Sequence, residues 1–283
     1  MDGKVVFITG GARGQGRAHA LTMAREGADV VLLDLAADID TLPYALSGAE
    51  DLQRTAQEIE ALDRRVIAVE GDVRSQADVD AAVERAIAEL GQVDVLLSNA
   101  GIWTLSAFWE TSEQEWQDQI DVNLTGHWHA AKAVAPHMIE RGTGAIVFTS
   151  SANGLVAGTN YAHYTAAKHG VLGLMKTVAV ELGPYGIRAN AVCPAFVDTK
   201  MNDWPAVYDM MAGTGPGTGT PQDRVNAAKH LSAIRGRGFI APESVSKVVL
   251  WLASDDAADI TGLAHPVDAG SLVLPPFNPA PAD

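Results

Sequence analysis

Tyr164 and Lys168 stand four residues apart in Tyr164-Thr165-Ala166-Ala167-Lys168. A helix there sets a phenol and an ammonium on one face, a turn apart. An ammonium beside a phenol favours the phenolate, and is expected to draw the tyrosine down from about 10 toward the working range of a general base. Ser151 comes thirteen positions earlier, at the end of the apolar run Ala145-Ile146-Val147-Phe148. Its hydroxyl can hydrogen-bond a carbonyl or alcohol oxygen held against Tyr164. Together these groups can move a proton onto or off an oxygen while a cofactor handles the hydride. A Tyr-x3-Lys pair alone could equally be two surface helix residues. It gains meaning only if the chain also builds a nucleotide site.

Such a site is written at the N-terminus. The strand pattern Val5-Val6-Phe7-Ile8 leads into Thr9-Gly10-Gly11-Ala12-Arg13-Gly14-Gln15-Gly16, then into a helical pattern from Arg17 to Glu26. Strand, glycine loop and helix form the context of a dinucleotide fingerprint. Gly10 allows the tight turn and Gly14 lets the backbone approach a pyrophosphate. Gly16 permits close packing of helix on strand, with Arg13 and Gln15 between them. A second strand, Asp29–Leu33, ends in Asp34-Leu35. A carboxylate at that point suits the ribose hydroxyls of NAD and repels the 2′-phosphate of NADP. Arg13 pulls the other way, but Asp34 would face the 2′ position directly and decides for NAD. Asp72-Val73, after a third strand Val66–Val69, is placed to border an adenine ring. Ser98-Asn99-Ala100-Gly101 ends a strand over Val93–Leu97, and its small residues let a cofactor lie close to the backbone.

The remaining elements must position these groups. Helices are expected over Glu50–Leu62, Ala77–Leu90, Ser112–Arg141, Tyr161–Leu182 and Pro242–Ala253, and strands over Ala145–Thr149, Ile187–Val192 and Ala264–Val267. The alternation predicts an α/β Rossmann-type doubly wound parallel sheet in a single domain. Asn123 interrupts the long helix Ser112–Arg141, and as a poor interior helix former it predicts a local distortion or a bound water. Residues 36–48 form an insertion after the second strand, long for such a fold and so functional or mobile. Residues 200–238 combine Trp204, Tyr208, Met210 and Met211 with a Gly/Pro/Thr-rich run, and read as a substrate loop or lid over an apolar substrate. The tail 274–283 holds four prolines and should be extended.

Composition narrows the partners. Twenty Lys and Arg against thirty-five Asp and Glu give the 283-residue chain a formal charge of −15, which argues against nucleic acid and anionic membranes. The single cysteine, Cys193, excludes an internal disulfide and a cysteine metal cage, and is expected in the core. His127 and His129 point apart on a helix, so no metal site is expected. No cleavable apolar leader opens the chain, and a cytoplasmic protein is the default.

With these motifs placed, the whole chain resembles the short-chain dehydrogenase/reductase family, in its single-domain branch. By that resemblance Tyr164 transfers the proton, Ser151 polarises the substrate oxygen, and Lys168 binds the nicotinamide ribose and lowers the Tyr pKa. Asn123 would hold a relay water. Asn99, Ala100, Gly101 and Pro194 would line the cofactor, and Val197 and Thr199 would meet the nicotinamide carboxamide. Ser98 and Ala195 depart from the family's Asn-Asn-Ala-Gly and Pro-Gly motifs, small changes expected to adjust cofactor fit. The segments Gly11–Arg17, Val134–Ile139 and Ala167–Gly170, with the insertion, are similar to the mycofactocin-associated subgroup that includes carveol dehydrogenases. That implies an alicyclic or terpenoid alcohol or ketone substrate, NAD that exchanges poorly, an external redox carrier and a homotetramer. An NADPH-dependent ketoreductase of the 3-ketoacyl-carrier type is the alternative. A non-catalytic NAD-binding redox sensor is a further one, disfavoured by the complete Asn123, Ser151, Tyr164 and Lys168 set.

Overall fold

Short β-branched runs that are apolar at every position cannot sit half in water, so they settle inside a parallel sheet covered on both faces. In the computed structural model, which describes residues 1–274, this holds for the centres of β1 (Val5–Thr9), β2 (Asp29–Asp34), β4 (Val95–Ser98) and β5 (Gly144–Thr149), while β6 (Ile187–Pro194) is also buried but carries Arg188 and Asn190. β3 (Val66–Glu70) and β7 (Ala264–Val267) form the less buried edges. The order is β3-β2-β1-β4-β5-β6-β7, with every pairing parallel. The chain therefore builds outward from β1 to β3, returns across β1, and builds the other half from β4. The switch lies between β1 and β4, where Val6, Phe7 and Ile8 face Val95, Leu96 and Leu97. Ligands of open α/β sheets bind at the carboxyl ends of the strands at such a switch.

Helices α1 (Gly14–Arg25), α2 (Ala49–Glu60) and α3 (Gln76–Leu90) cross between the first strands. One apolar core unites Phe7, Leu96, Phe148, Met138 and Met175, and the other unites Ile8, Leu97, Val147, Met23 and Val249. Cys193 is buried in the first of these, as expected. No helix among the described residues is long and apolar enough to cross a membrane.

One expectation is corrected and a second is filled in. The helix expected over Ser112–Arg141 is interrupted: α4 (Glu113–Ile120) passes through a π-turn at Asp121–Thr125 into α5 (Gly126–Arg141). The wider turn contains Asn123, so the distortion read from that residue is present. Residues 200–238, expected as a substrate loop or lid, carry helical structure that was not foreseen. They contain α7 (Pro205–Ala212) and α8 (Pro221–His230), each opened by proline, with a Thr220–Asp223 capping box on α8. The glycine run is confined to the link between them, where Asp209 accepts from the amides of Gly217 and Gly219 at 2.8 and 2.7 Å. α6 (Ala162–Leu182) and α9 (Pro242–Ala253) fall where expected. Beyond Leu274 the proline-rich tail lies outside the described residues.

Candidate active site

Each catalytic candidate is delivered by a different element to the carboxyl edge of the sheet. Ser151 follows β5, Tyr164 and Lys168 ride the first two turns of α6, and Asn123 sits in the π-turn. Lys168 is 2% exposed, and its Nζ donates to the Thr149 carbonyl at 2.9 Å and lies 5.6 Å from the centre of the Tyr164 ring. The hydroxyl of Ser150 donates to the Lys168 carbonyl at 2.8 Å, pinning β5 to α6. Asn123 is fully buried; its amide donates to the Ile102 carbonyl at 2.9 Å and its Oδ1 accepts from the Ile102 amide at 3.1 Å. A Cβ on Gly101 would stand 3.0 Å from that Oδ1 and 3.5 Å from Lys168 Nζ, so glycine leaves the two polar groups on one space.

Electrostatics in the protein alone differ from the expectation. Burial pushes the Tyr164 phenol up to about 12, outweighing the lowering by the Ser151 hydrogen bond. Burial also pulls Lys168 down to about 7. Both groups lose water at once, so desolvation of each charge exceeds the mutual attraction expected from their spacing.

A cleft of about 190 Å³ opens beside this edge. Its walls include Gly10, Arg13, Gly14, Gln15, Asp34, Leu35, Asp72, Val73, Asn99, Ala100, Gly101 and Thr199, twelve of the residues expected to meet a cofactor. Gly16 is not on the wall. A Cβ there would fall 1.9 Å from the Gly10 carbonyl, so its role is the close packing of α1 on the loop. Pro194 and Val197 lie behind the wall: the Pro194 carbonyl accepts from Ser151 Oγ at 3.5 Å, and Val197 is buried. Asn99 ties the two halves of the sheet, its Nδ2 donating to the carbonyls of Thr9 and Gly10 at 3.1 and 3.3 Å.

The cleft suits a dinucleotide. Gly10 has φ +68° and a Cβ there would lie 2.8 Å from Ala100 Cα, so the backbone comes as close as only glycine allows. The N-terminus of α1 has no side-chain cap and no acidic residue in its first turn, leaving its amides for a phosphate. Gln15 Oε1 is buried without a partner. Asp34 Oδ2 accepts from the Ala12 amide at 2.9 Å, and its Oδ1 accepts from Ser47 Oγ at 2.8 Å.

The site residues expected from the sequence included none from the insertion. Ile39, Tyr44, Leu46 and Ser47 all line the cleft. The Tyr44 hydroxyl accepts from the Trp103 amide at 3.0 Å, and its ring stacks on Trp204 at 5.7 Å. Trp103, Trp204 and Val207 form a separate apolar cluster against which Tyr44, Tyr161, Tyr164 and the methionines 201, 210 and 211 pack. Length and the subgroup resemblance marked this insertion, but neither singled out these side chains. Ser98, one of the two departures, pairs at 2.6 Å with Nδ1 of buried His127.

A doubly wound parallel sheet with a glycine-lined cleft at its switch point defines a dinucleotide-binding α/β protein. The short chain dehydrogenase family model matches residues 4–205. A (-)-trans-carveol dehydrogenase of Rhodococcus erythropolis is 41% identical over 96% of this chain and 98% of its own length. The crystal structure of a carveol dehydrogenase from Mycobacterium avium in complex with NAD superposes with a TM-score of 0.92 at 41% identity, over 96% of this chain and 99% of that one. A levodione reductase structure follows with a TM-score of 0.83 at 30% identity, over 96% and 99%. The chain belongs to the short-chain dehydrogenase family and is an oxidoreductase of that kind.

Proposed function

We propose that this protein is an NAD-dependent dehydrogenase of secondary alcohols and the corresponding ketones, with an alicyclic or terpenoid substrate of the carveol kind. The observation that carries the reading is the meeting of Ser151, Tyr164 and Lys168 beside an aromatic and methionine cluster without a charged member. A flat apolar ring suits such walls, and a charged acyl carrier does not. The names of the relatives point the same way.

The amides at the start of α1 would hold the pyrophosphate, Asp34 the adenosine ribose, and Asp72 and Val73 the adenine. Asn99, Ala100, Gly101, Pro194, Val197, Thr199 and Lys168 would serve the nicotinamide end. Bound NAD supplies the acceptor for hydride from the carbinol carbon. Tyr164 takes the hydroxyl proton while Ser151 hydrogen-bonds the same oxygen. Lys168, titrating near neutrality, stabilises the phenolate when charged, and Asn123 supports the relay that returns the proton to solvent. We further propose a cytoplasmic homotetramer whose NAD exchanges slowly and is reoxidised by an external redox carrier.

The test is a panel of cyclic secondary alcohols assayed with NAD, with NADP, and with NAD plus an artificial electron acceptor. Oxidation of cyclic alcohols with NAD, enhanced by the acceptor, is expected. A preference for NADP with an acyl thioester defeats the reading.

A further inference from the structure

Glu115, Gln119 and Asn123 are spaced four apart, so α4 and the following π-turn carry them in a row along one face. Asn123 Nδ2 donates to Gln119 Oε1 at 3.0 Å. Gln119 Nε2 then lies 3.4 Å from Thr104 Oγ1, and Thr104 Oγ1 donates to Glu115 Oε1 at 2.7 Å. A second branch comes from α6. The amide of Tyr164 donates to His163 Nδ1 at 2.7 Å, and His163 Nε2 lies 3.0 Å from the same Thr104 oxygen. Thr104, Gln119, Asn123 and His163 are all at most 2% exposed.

One proton inventory satisfies all of these contacts, with Glu115 Oε1 also 3.5 Å from His163 Nε2. His163 Nδ1 is an acceptor, so the neutral ring carries its hydrogen on Nε2 and donates it to Thr104. The Thr104 hydrogen goes to the Glu115 carboxylate, which can only accept. The two lone pairs of Thr104 Oγ1 then receive His163 and Gln119, and the hydroxyl is saturated. With Gln119 Nε2 committed to Thr104, its Oε1 must face Asn123 Nδ2, which reinforces the orientation that the Ile102 amide and carbonyl give the Asn123 side chain, with Oδ1 toward the Lys168 side. Apart from the Asn123 hydrogen given to the Ile102 carbonyl, the donors of both branches point, step by step, to one carboxylate.

We propose that Thr104 and Glu115 are a positioning pair for the reaction. Glu115 sets the direction of a hydrogen-bond tree whose hub, Thr104, holds the Tyr164 backbone through His163 and the Asn123 amide through Gln119. Neither residue touches the reacting atoms. The inference rests on the reading of Tyr164 as the acid/base.

Four variants of the full chain test it with carveol, NAD and an artificial acceptor: Thr104→Val, Thr104→Ser, Glu115→Gln and Tyr164→Phe. Bound nucleotide per chain and melting temperature are measured on each. Val replaces the hydroxyl by a methyl of the same shape and strands two buried N–H groups. Thr104→Val should lower kcat roughly 10- to 100-fold, the range for outer-shell partners, with KM and nucleotide content within about threefold. Ser keeps the hydroxyl and should recover kcat to within about threefold, which a merely structural loss of the γ-methyl would not predict. Thr104→Val within about twofold of the parent, or Thr104→Ser as impaired as Val, overturns the proposal. Should Thr104→Val fail to fold, Glu115→Gln decides, because its carboxylate is already part-exposed: a kcat loss of about threefold or more supports the tree, and an unchanged kcat overturns it. An active Tyr164→Phe overturns the acid/base reading and this inference with it. An inactive Tyr164→Phe beside an unaffected Thr104→Val sinks this inference alone.

Discussion

Burial holds Lys168 at about 7 in the protein, against 10.5 for the free side chain. Between those values the unfolded chain binds the proton and the folded one releases it. Stability should therefore rise with pH across that window, and the full penalty applies below about 7. At about 1.4 kcal/mol per pKa unit, the buried ammonium costs several kcal/mol near neutrality. Lys168→Met should accordingly melt higher than the parent at pH 7, the gap closing toward pH 10, while turnover is lost. Thermal melts across that range check it, and a less stable variant at pH 7 contradicts it. Tyr164→Phe removes the proposed acid/base but little cofactor contact. Its kcat should fall about 10²- to 10⁴-fold, the range for general acid–base catalysis, with NAD affinity nearly intact by titration. The meeting of these side chains was legible because Ser151, Tyr164 and Lys168 lie on consecutive elements at fixed spacing. The protonation trend was not, since spacing reports neighbours and not how much water both lose. Thr104 and His163 were not legible either, being 59 residues apart with no local pattern to join them.

The insertion 36–48 is fixed at several points. Thr41 donates to Asp118 at 2.8 Å, Leu46 to Asp38 at 2.6 Å, Ser47 to Asp34, and Tyr44 joins Trp103 and Trp204. It runs from Asp34 to the aromatic cluster, lining the cleft with Ile39, Tyr44, Leu46 and Ser47. A segment tied at both ends must release before a dinucleotide leaves, so shortening it should act on the off-rate. Replacing 38–46 by a short Gly/Ser link should speed NAD exchange by an order of magnitude or more, read by competition with labelled NAD; unchanged exchange refutes the role. Asp34→Ala is expected to relax the preference for NAD and, by freeing Ser47, to speed exchange as well. The strands and most helices could be read from apolar runs and caps. Residues 200–238 could not, because a conspicuous glycine run masked two helices of eight and ten residues, with short opening signals.

At the scale of the molecule, Trp116, Trp128 and Val180 on α4, α5 and α6 remain 39% or more exposed despite their size. Apolar faces of that kind on neighbouring helices support the proposed tetramer. Light scattering at micromolar concentration should give four chains per particle, and Trp128→Glu with Val180→Glu should shift it toward smaller species. A monomer in the parent would end the proposal. The strand order also has a consequence in time. β1 lies in the middle of the sheet, yet its second neighbour, β4, is encoded only from Val95 onward. At roughly 5–20 residues per second of synthesis, the apolar edge of β1 waits on the order of ten seconds for its partner. A nascent chain halted at Leu90 presents that edge and half a nucleotide cradle. It should associate with chaperones or aggregate, whereas the full chain, with β1, β2, β4, β5 and β6 each paired on both edges, should not.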